Sequence, residues 1–296
     1  MTMILQLKDP INNANAPLIS LYDPIESRAG SIYLWDGARQ KDTTALGVGN
    51  SLPNLIAGLN SIAAGKQFSQ VLKNTSGDTG YVKTEKTNKG GLHFIASQSR
   101  ASAITGELFT GISANTDLLN FIYNDLMVES NPDLYISIWD KVTLTADKGA
   151  NTYGPQVVYA NGNTNNYAFY MQSRQHSMQQ IGGSTVNKTG LLTIDPVSIG
   201  KDNYHQINLK GVAGTGILAA TPFLIGTGQC SPWNSSQTLN ASPSYILYRI
   251  YIEDLARSGR TFAQVKAIDD AEFAKAFAAG GRFYGDTHSD PATVLP

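Results

Sequence analysis

The sequence predicts a mainly β chain built as an antiparallel β-sandwich, and three observations lead to this prediction. Strand-like runs follow one another from about residue 91 to residue 255 without helical patterns between them, and such runs pair antiparallel rather than as βαβ units. Clusters of Gly, Asn, Asp and Pro separate the runs, as turns do. The hydrophobic period changes to helical spacing only after Leu255, which predicts short C-terminal helices.

Residues 1–65 are predicted to form an N-terminal arm that includes a short helix. Prolines punctuate the first thirty residues, and "SIYLWDGA" from Ser31 predicts a short strand. A helix is expected between Pro53 and Gly65, because four apolar residues there stand near helical spacing: Leu55, Ile56, Leu59 and Ile62. An arm of this kind suits chain exchange or strand addition between copies.

Residues 66–257 are predicted to form the β-sandwich itself. In "DLYISIWDKVTLTA" the residues Leu134, Ile136 and Ile138 alternate with Tyr135, Ser137 and Trp139, which places two sets of side chains on opposite faces. Further strands are expected in four other runs: "GLHFIASQ", "GLLTIDPVSI", "YHQINLKG" and "ILAATPFLIG".

Two details of the later strands are also predicted. "PQVVYANGNTNNYAFYMQS" predicts a hairpin around Asn161-Gly162, a dipeptide that accepts the backbone angles of a tight turn. "YILYRIYIEDL" predicts a last strand that carries two faces. Ile246, Tyr248, Ile250 and Ile252 are expected on one face, and Leu247, Arg249 and Tyr251 on the other.

Residues 258–296 are predicted to form a cap of two short helices and a tail. Thr261 with Gln264, and Asp269 with Glu272, both fit the capping box that begins a helix. Ile268 and Phe273 would form a hydrophobic staple, and Gly280 or Gly281 would end the second helix. The cap is expected over an end or edge of the sandwich, held by Phe262, Val265, Phe273 and Phe277.

Composition excludes several classes of partner. The chain has 22 basic and 23 acidic residues and a formal charge of −1, so it lacks the basic excess that neutralises phosphates, and no nucleic acid partner is expected. No apolar run approaches the roughly 20 residues that span a bilayer, so no membrane insertion is expected. Lys8, Asp9 and Pro10 interrupt the apolar start, which favours synthesis in the cytoplasm.

No catalytic, cofactor-binding or metal-binding residues are predicted. Gly214 and Gly216 open a G-x-G-x-x-A pattern, but Pro222 opposes the helix that would hold a pyrophosphate. The histidines at 93, 176, 205 and 288 show no metal spacing. A glycosidase needs a pair of carboxylates that flank the bond it cleaves. Seven acidic residues are candidates for such a pair: Asp133, Asp140, Glu253, Asp254, Asp269, Asp270 and Glu272. The last three have the capping role already described.

Carbohydrate binding is the alternative prediction, and it depends on aromatic residues. The apolar face of a tryptophan ring suits the C–H face of a sugar. Trp139 is expected in the core of its strand, whereas Trp233, in the polar turn "CSPWNSS", is the better contact residue. Trp233 and its neighbour Asn234 are therefore the candidate glycan contacts.

The last strand and the segment after it resemble laminin-G and concanavalin-like lectin sandwiches. In those families a strand of the type "vriYnraLs" leads into a helical "aeeV", and five residues occupy the matching places here: Arg249, Ile250, Tyr251, Leu255 and Val265. "DLYISIWDKV" resembles the strand written "ftisaWvk", with Trp139 at the aromatic position. The resemblance covers roughly residues 92 to 277 and implies a jelly-roll or concanavalin-like sandwich.

The ending from "EDLARSGRTFAQV" to "DPATVLP" is similar to the C-terminal ends of structural proteins of tailed phages and prophages of Gram-negative bacteria. That resemblance implies a virion protein in tail fibre or spike, baseplate, collar or capsid decoration, with other virion proteins and copies of itself as partners. The lectin-like sandwich leaves open an adhesin that recognises host surface glycan, and more remotely a glycoside hydrolase.

Overall fold

The protein is mainly β, with antiparallel sheets and few short helices, in a computed structural model. The structure describes residues 23–27, 29–40, 51–56, 68–74, 80–99, 108–115, 117–118, 121, 133–144, 156–163, 166–174, 177–180, 189–194, 202–210, 224–229 and 243–295. In these ranges no helix has the length and apolar character needed to cross a membrane.

The described strands run from residue 31 to residue 254, and three described helices follow the last of them. The strands are β1 Ser31–Asp36, β2 Ser51–Pro53, β3 Ser69–Asn74, β4 Val82–Lys86, β5 Leu92–Ala96, β6 Leu108–Ala114, β7 Asp133–Leu144, β8 Gln156–Asn163, β9 Asn166–Arg174, β10 Ser177–Gln180, β11 Thr189–Ile194, β12 Asp202–Lys210, β13 Leu224–Gln229 and β14 Ser244–Asp254. The helices are α1 Leu255–Ser258, α2 Phe262–Phe277 and α3 Pro291–Val294.

The strands form two seven-stranded sheets in which neighbouring strands run antiparallel. The first sheet has the order β11-β12-β7-β14-β5-β4, with β1 beside β14, and the second has the order β10-β9-β8-β13-β6-β3-β2. One edge of β14 is shared, because its first half pairs with β5 and its second half with β1. Strand β14, which is the last strand in the sequence, therefore lies in the interior of the first sheet.

The first sheet is covered on both faces, as two adjacent residues of β1 demonstrate. Leu34 packs in one cluster with Val265 of α2, while the hydroxyl of Tyr33 donates to the carbonyl oxygen of Leu52 in β2, a strand of the second sheet. The sheets also meet through the paired hydroxyls of Thr84 and Thr110. Side chains that alternate along a strand point to opposite faces, so α2 and the second sheet lie on opposite sides of the first.

The strand β7 has the two faces that its sequence predicts. Tyr135 and Trp139 contact aromatic residues of α2, which confirms that they share a face. Trp139 is fully buried, as expected of a core residue.

The alternation predicted for β14 is wrong in its second half because the strand contains a bulge. Its register with β7 shifts between Leu247 and Arg249, which makes Tyr248 an extra residue. A bulge places two successive residues on one side of a strand. Tyr248 and Arg249 therefore both lie on the α2 face, and Tyr251 follows them there, whereas Ile250 faces the second sheet.

The hairpin of β8 and β9 is confirmed, but its turn lies beyond the predicted dipeptide. Asn163 pairs with Asn166, while Asn161-Gly162 lies inside β8 where the register shifts. A glycine in a strand often marks such an irregularity.

The N-terminal arm is not a separate appendage in its described part. Strand β1 is confirmed at residues 31–36 and is buried along its length, and Ile25 before it is fully buried as well. Residues 51–53 form β2 at the edge of the second sheet, and Leu55 and Ile56 pack near α2 without helical structure. The rest of the predicted helix lies outside the described residues, and the boundaries at 65 and 257 stay predictions.

The C-terminal helices differ from the predicted pair because α2 is one helix of 16 residues. Its capping box is confirmed, with Thr261 and Gln264 bonding each other's backbone N–H groups. The second box and staple are wrong, since Asp269 lies inside α2 and accepts a hydrogen bond from the Tyr135 hydroxyl at 2.7 Å. The helix ends at Phe277, before Gly280, and packs on the face of the first sheet rather than over an edge.

Candidate functional site

An open groove lies where the chain after β1 meets the turn between β4 and β5. The turn runs from Thr87 to Gly90, whose N–H donates to the Thr87 carbonyl oxygen at 3.1 Å. A Cβ on Gly37 would lie 2.3 Å from the Gly90 carbonyl oxygen, and Gly90 has a φ of 96°. Because only glycine permits both the close approach and this backbone angle, the two segments fit against each other without side chains between them.

The groove has a volume of about 610 Å³ and a polar, basic lining. Its small residues come from the two touching segments. Its polar side chains are three cations and three neutral groups: Lys86, Lys89 and Arg282, with Gln40, Thr87 and Asn88. No carboxylate is among the described residues that line it.

Each cation of the groove is held differently. The Lys86 ammonium donates to the main-chain oxygen of Gln40 at 3.3 Å. Arg282 donates from Nε to Asp36 at 2.9 Å. Lys89 is exposed, and only its backbone is fixed, through a 2.7 Å bond from its N–H to Asp286 Oδ1. The Lys89 ammonium is therefore the most accessible positive charge of the three.

Beneath the groove lies the arginine cluster, which consists of Asp23, Asp36, Arg249 and Arg282. The guanidinium of Arg249 donates to both oxygens of Asp23, at 2.9 and 3.0 Å, and approaches Asp36 at 3.5 Å. It also lies 4.6 Å from the centre of the Trp139 ring, a distance that favours cation–π attraction. The cluster thus joins residues before β1, the end of β1, the bulge of β14 and the segment after α2.

The charges of the arginine cluster stabilise one another. Burial alone would raise the pKa of Asp23, but the ion pair and hydrogen bonds with Arg249 outweigh it and hold that pKa below its usual value. Burial alone would lower the pKa of Arg249, and the carboxylates of Asp23 and Asp36 raise it instead. Both groups are therefore charged at neutral pH, in a fixed pair that suits anchoring rather than proton transfer.

A second buried pair lies at the other end of β14. Arg260 binds Glu253 through two nitrogens, one of them Nε at 2.8 Å. The Tyr251 hydroxyl donates to Glu253 at 2.6 Å and lies 2.7 Å from the Ser31 hydroxyl. Burial raises the pKa of Tyr251, which keeps this hydroxyl protonated. The pair fastens the start of β1 to β14.

The histidine cluster consists of Glu85, His93, Thr143, His288 and Ser289. The imidazole of His93 is fully buried, with Nδ1 3.0 Å from Glu85 Oε1 and Nε2 2.8 Å from Thr143 Oγ1. Ser289 donates to the same Glu85 oxygen, and the His288 ring lies 5.0 Å from that of His93. Burial lowers the pKa of His93 to about 4, so the ring is neutral at pH 7, donating to Glu85 and accepting from Thr143.

The residues considered for a site in the sequence either have structural partners or lie outside the described residues. Trp233 and Asn234 lie outside the described residues, as do His176 and the G-x-G-x-x-A pattern. Asp254 caps α1 by accepting from two backbone N–H groups, and Asp270 pairs with Lys266 at 2.7 Å. Across the described ranges no three His, Cys, Asp or Glu side chains are placed to hold a metal ion.

Sequence reasoning missed both the groove and the histidine cluster. The segment "KTNKGG" from Lys86 carries a signal for the groove, since two lysines flank a turn that ends in two glycines. No comparable signal connects His93 with His288. Only the topology of the first sheet and the path of the chain after α2 bring them together.

No protein-family model matches the chain, and no curated protein matches it in sequence.

Proposed function

We propose that this chain is a structural protein of a tailed-phage particle, which acts through contacts with other virion proteins and with copies of itself. In this proposal its sheets form a jelly-roll or concanavalin-like sandwich, it is made in the host cytoplasm, and it ends in the virion. A tail fibre or spike, the baseplate, the collar and a capsid decoration are the places where such a protein serves. The similarity of the ending to phage structural proteins supports this role.

The observation that carries the proposal is the exposed face of α2, in the segment that bears the similarity. Val265 and Ala276 are buried against the first sheet, so the opposite side of the helix faces outwards. That side carries small uncharged residues, all exposed and spaced at three or four positions: Ala263, Ala267, Ala271 and Ala274. A helix face with small side chains lets another surface approach closely.

The anchoring of the same segment supports an assembly role. The arginine cluster fixes the chain after α2, and the Arg260 pair fixes the chain before it. Tyr284 follows in this segment and is 54% exposed, the one large hydrophobic side chain so exposed within the described ranges. A firmly anchored segment that also carries an exposed aromatic residue suits a repeated protein–protein contact.

The test starts from purified particles. Phage particles are prepared on density gradients from a lysate in which the gene is expressed, and the protein is quantified in them by mass spectrometry. The expected result is a fixed copy number per particle in repeated preparations. Loss of the protein on purification would contradict the particle role.

A charged substitution on the alanine face then tests the contact itself. Ala267→Arg should leave the fold intact, because exposed substitutions change stability by no more than about 0.5 kcal/mol, and it should abolish incorporation. Ala292→Arg, on the exposed side of α3, is the matched control and should incorporate normally. Equal incorporation of both variants would remove the alanine face from the contact.

The second candidate function is a carbohydrate-binding adhesin that recognises host surface glycan. The specific observation in its favour is the open groove, whose amide, hydroxyl and ammonium groups suit the hydroxyl groups of a sugar. A glycan array probed with the purified chain tests it, and an array with no bound glycan would reject it.

A further inference from the structure

We propose that the groove formed by Gln40, Lys86, Thr87, Asn88, Lys89 and Arg282 binds an anionic saccharide, a sugar unit that carries a carboxylate. This inference rests on the adhesin candidate and not on the particle role. It assigns the binding site and the charge class of the ligand.

The charge of the groove selects an anion. Lys86, Lys89 and Arg282 surround it, and the described lining contains no acidic side chain, although the whole chain has a net charge of −1. The carboxylate nearest to Arg282, that of Asp36, lies beneath the lining and is already paired with Arg249. Lys89 brings an exposed ammonium with no carboxylate partner among the described residues. A concave site of one charge sign concentrates ligands of the opposite sign.

The neutral groups of the groove suit the rest of a sugar. Asn88 is exposed at the turn and offers both donors and an acceptor. Gln40 is fixed by a 2.6 Å hydrogen bond from Trp35 Nε1 to its side-chain oxygen.

The groove is held in shape before a ligand arrives. The contact of Gly37 with Gly90 closes its floor, and Arg282 is fixed by Asp36 at 2.9 Å and approached by Glu272 at 3.6 Å. A site whose groups are already ordered loses less conformational entropy on binding. The volume of about 610 Å³ falls in the range of roughly 300–1,000 Å³ typical of small-molecule sites.

The lining favours a saccharide over a protein or nucleic acid partner. No aromatic or large aliphatic side chain lines the groove in its described part, whereas the centre of a protein interface is enriched in such residues. Nucleic acid binding depends on many phosphate contacts along the backbone. Three cations in one concave site can make only a few such contacts. A single charged sugar with several hydroxyl groups matches the cations and the amides together.

The experiment measures binding of the full chain to matched sugar pairs by titration calorimetry. The probes are oligogalacturonate and a sialic-acid-terminated trisaccharide, each compared with its methyl ester. The acid forms should bind at least about tenfold more tightly than the esters, and binding should weaken as salt rises. Lys89→Ala should reduce affinity about tenfold. Lys83→Ala is the matched control, since Lys83 lies on β4 before the turn, outside the groove, with its side chain 42% exposed.

Four outcomes would overturn the inference. Equal binding of acid and ester would reject the charge class while the adhesin candidate stands. Absence of binding to any glycan, including those of the array, would reject both. Equal losses in Lys83→Ala and Lys89→Ala would place the site elsewhere. Tighter binding of an oligoglutamate peptide than of either acidic sugar would make the groove a protein contact.

Discussion

The arginine cluster and the histidine cluster both fasten a distant part of the chain to the first sheet, and they differ in how they respond to protons. Arg249 holds Asp23 through two charged hydrogen bonds. Glu85 holds Ser289, and it is itself oriented by the neutral ring of His93. The first attachment uses groups that stay charged across the physiological range, whereas the second depends on a buried imidazole that must stay uncharged.

The difference teaches that burial disfavours the charged form in both attachments, but neighbouring carboxylates outweigh it only at Arg249. At Arg249 the neighbouring carboxylates outweigh the desolvation of the guanidinium and raise its pKa, so the pair stays charged. At His93 desolvation outweighs Glu85 and lowers the pKa to about 4. We therefore expect the chain before β1 to stay attached in acid and the chain near Ser289 to be released first.

The largest expected effect comes from Arg249→Met. The substitution removes the fully buried counter-charge that Asp23 and Asp36 share and leaves them only the partly exposed Arg39 and Arg282. Breaking a buried pair costs about 3–5 kcal/mol of unfolding free energy. Urea denaturation followed by circular dichroism measures it. Arg39→Met is the control, because Arg39 contacts the same Asp23 with a side chain 28% exposed, and should cost less than about 1 kcal/mol. Equal costs would remove the special role of the buried arginine.

The next effect is the acid sensitivity of the histidine cluster. An unfolded histidine binds a proton below its usual pKa of 6.5, and folded His93 does so only below about 4. The unfolded state therefore holds more protons between these values, and the unfolding free energy should fall by roughly 3 kcal/mol as pH drops from 6.5 to 4. The pKa of Glu85 is lowered as well, against the effect of burial, by Ser289 and His93, so stability falls further below pH 4.5.

His93→Gln separates this contribution from other groups. A glutamine can replace both hydrogen bonds but takes up no proton, so the loss between pH 6.5 and 4 should shrink in urea denaturation at each pH. His288→Gln, at an exposed position, should retain most of the loss. A His93→Gln profile that matches the unsubstituted protein would assign the acid sensitivity elsewhere and break the comparison.

A smaller effect is expected from the apolar packing between the two clusters. Phe277 contacts Tyr248 and Phe283 with ring centres 5.1 and 5.4 Å apart, but it is only half-buried. Phe277→Ala should cost about 2 kcal/mol, below the roughly 3–5 kcal/mol of a fully buried phenylalanine. Lys275→Ala, with a side chain 76% exposed, should change thermal stability by at most about 0.5 kcal/mol. A loss above that of Arg249→Met would make packing the stronger attachment.

The smallest effect is expected at the start of α2. Thr261→Ala removes one half of the capping box and should cost about 1 kcal/mol, measured by thermal unfolding. The exposed Thr287→Ala provides a matched control with no expected change. A neutral Thr261→Ala would indicate that the Arg260 pair alone fixes this end of the helix.

Local patterns were predictable from the sequence where no residue distant in the chain binds the groups that form them. The two faces of β7 follow from a strict period of two, and the cap at Thr261 follows from a four-residue motif. The cap predicted at Asp269 uses the same motif and fails, because Tyr135, 134 residues away, binds that carboxylate. The motif is local, but the partner that decides its use is not.

The candidate site was less predictable for the same reason. The bulge at Tyr248 places Arg249 beneath the groove, and a single extra residue leaves no mark in a run of alternating apolar side chains. The groove itself requires residues from the chain after β1, from the end of β4 and the turn that follows it, and from the segment after α2. The turn can be predicted from the sequence, whereas the fold decides which other segments of the chain lie beside it.

The central place of β14 has a consequence for the order in which the protein is made. Strand β14 pairs with β1, β5 and β7, all of which precede it in the chain, so the first sheet stays divided until residue 254 has been synthesised. Sheets that depend on pairing across such separations fold slowly, and their unpaired edges are exposed to other chains meanwhile. Chains truncated before Ser244 should therefore accumulate as aggregates that associate through the strands waiting for β14.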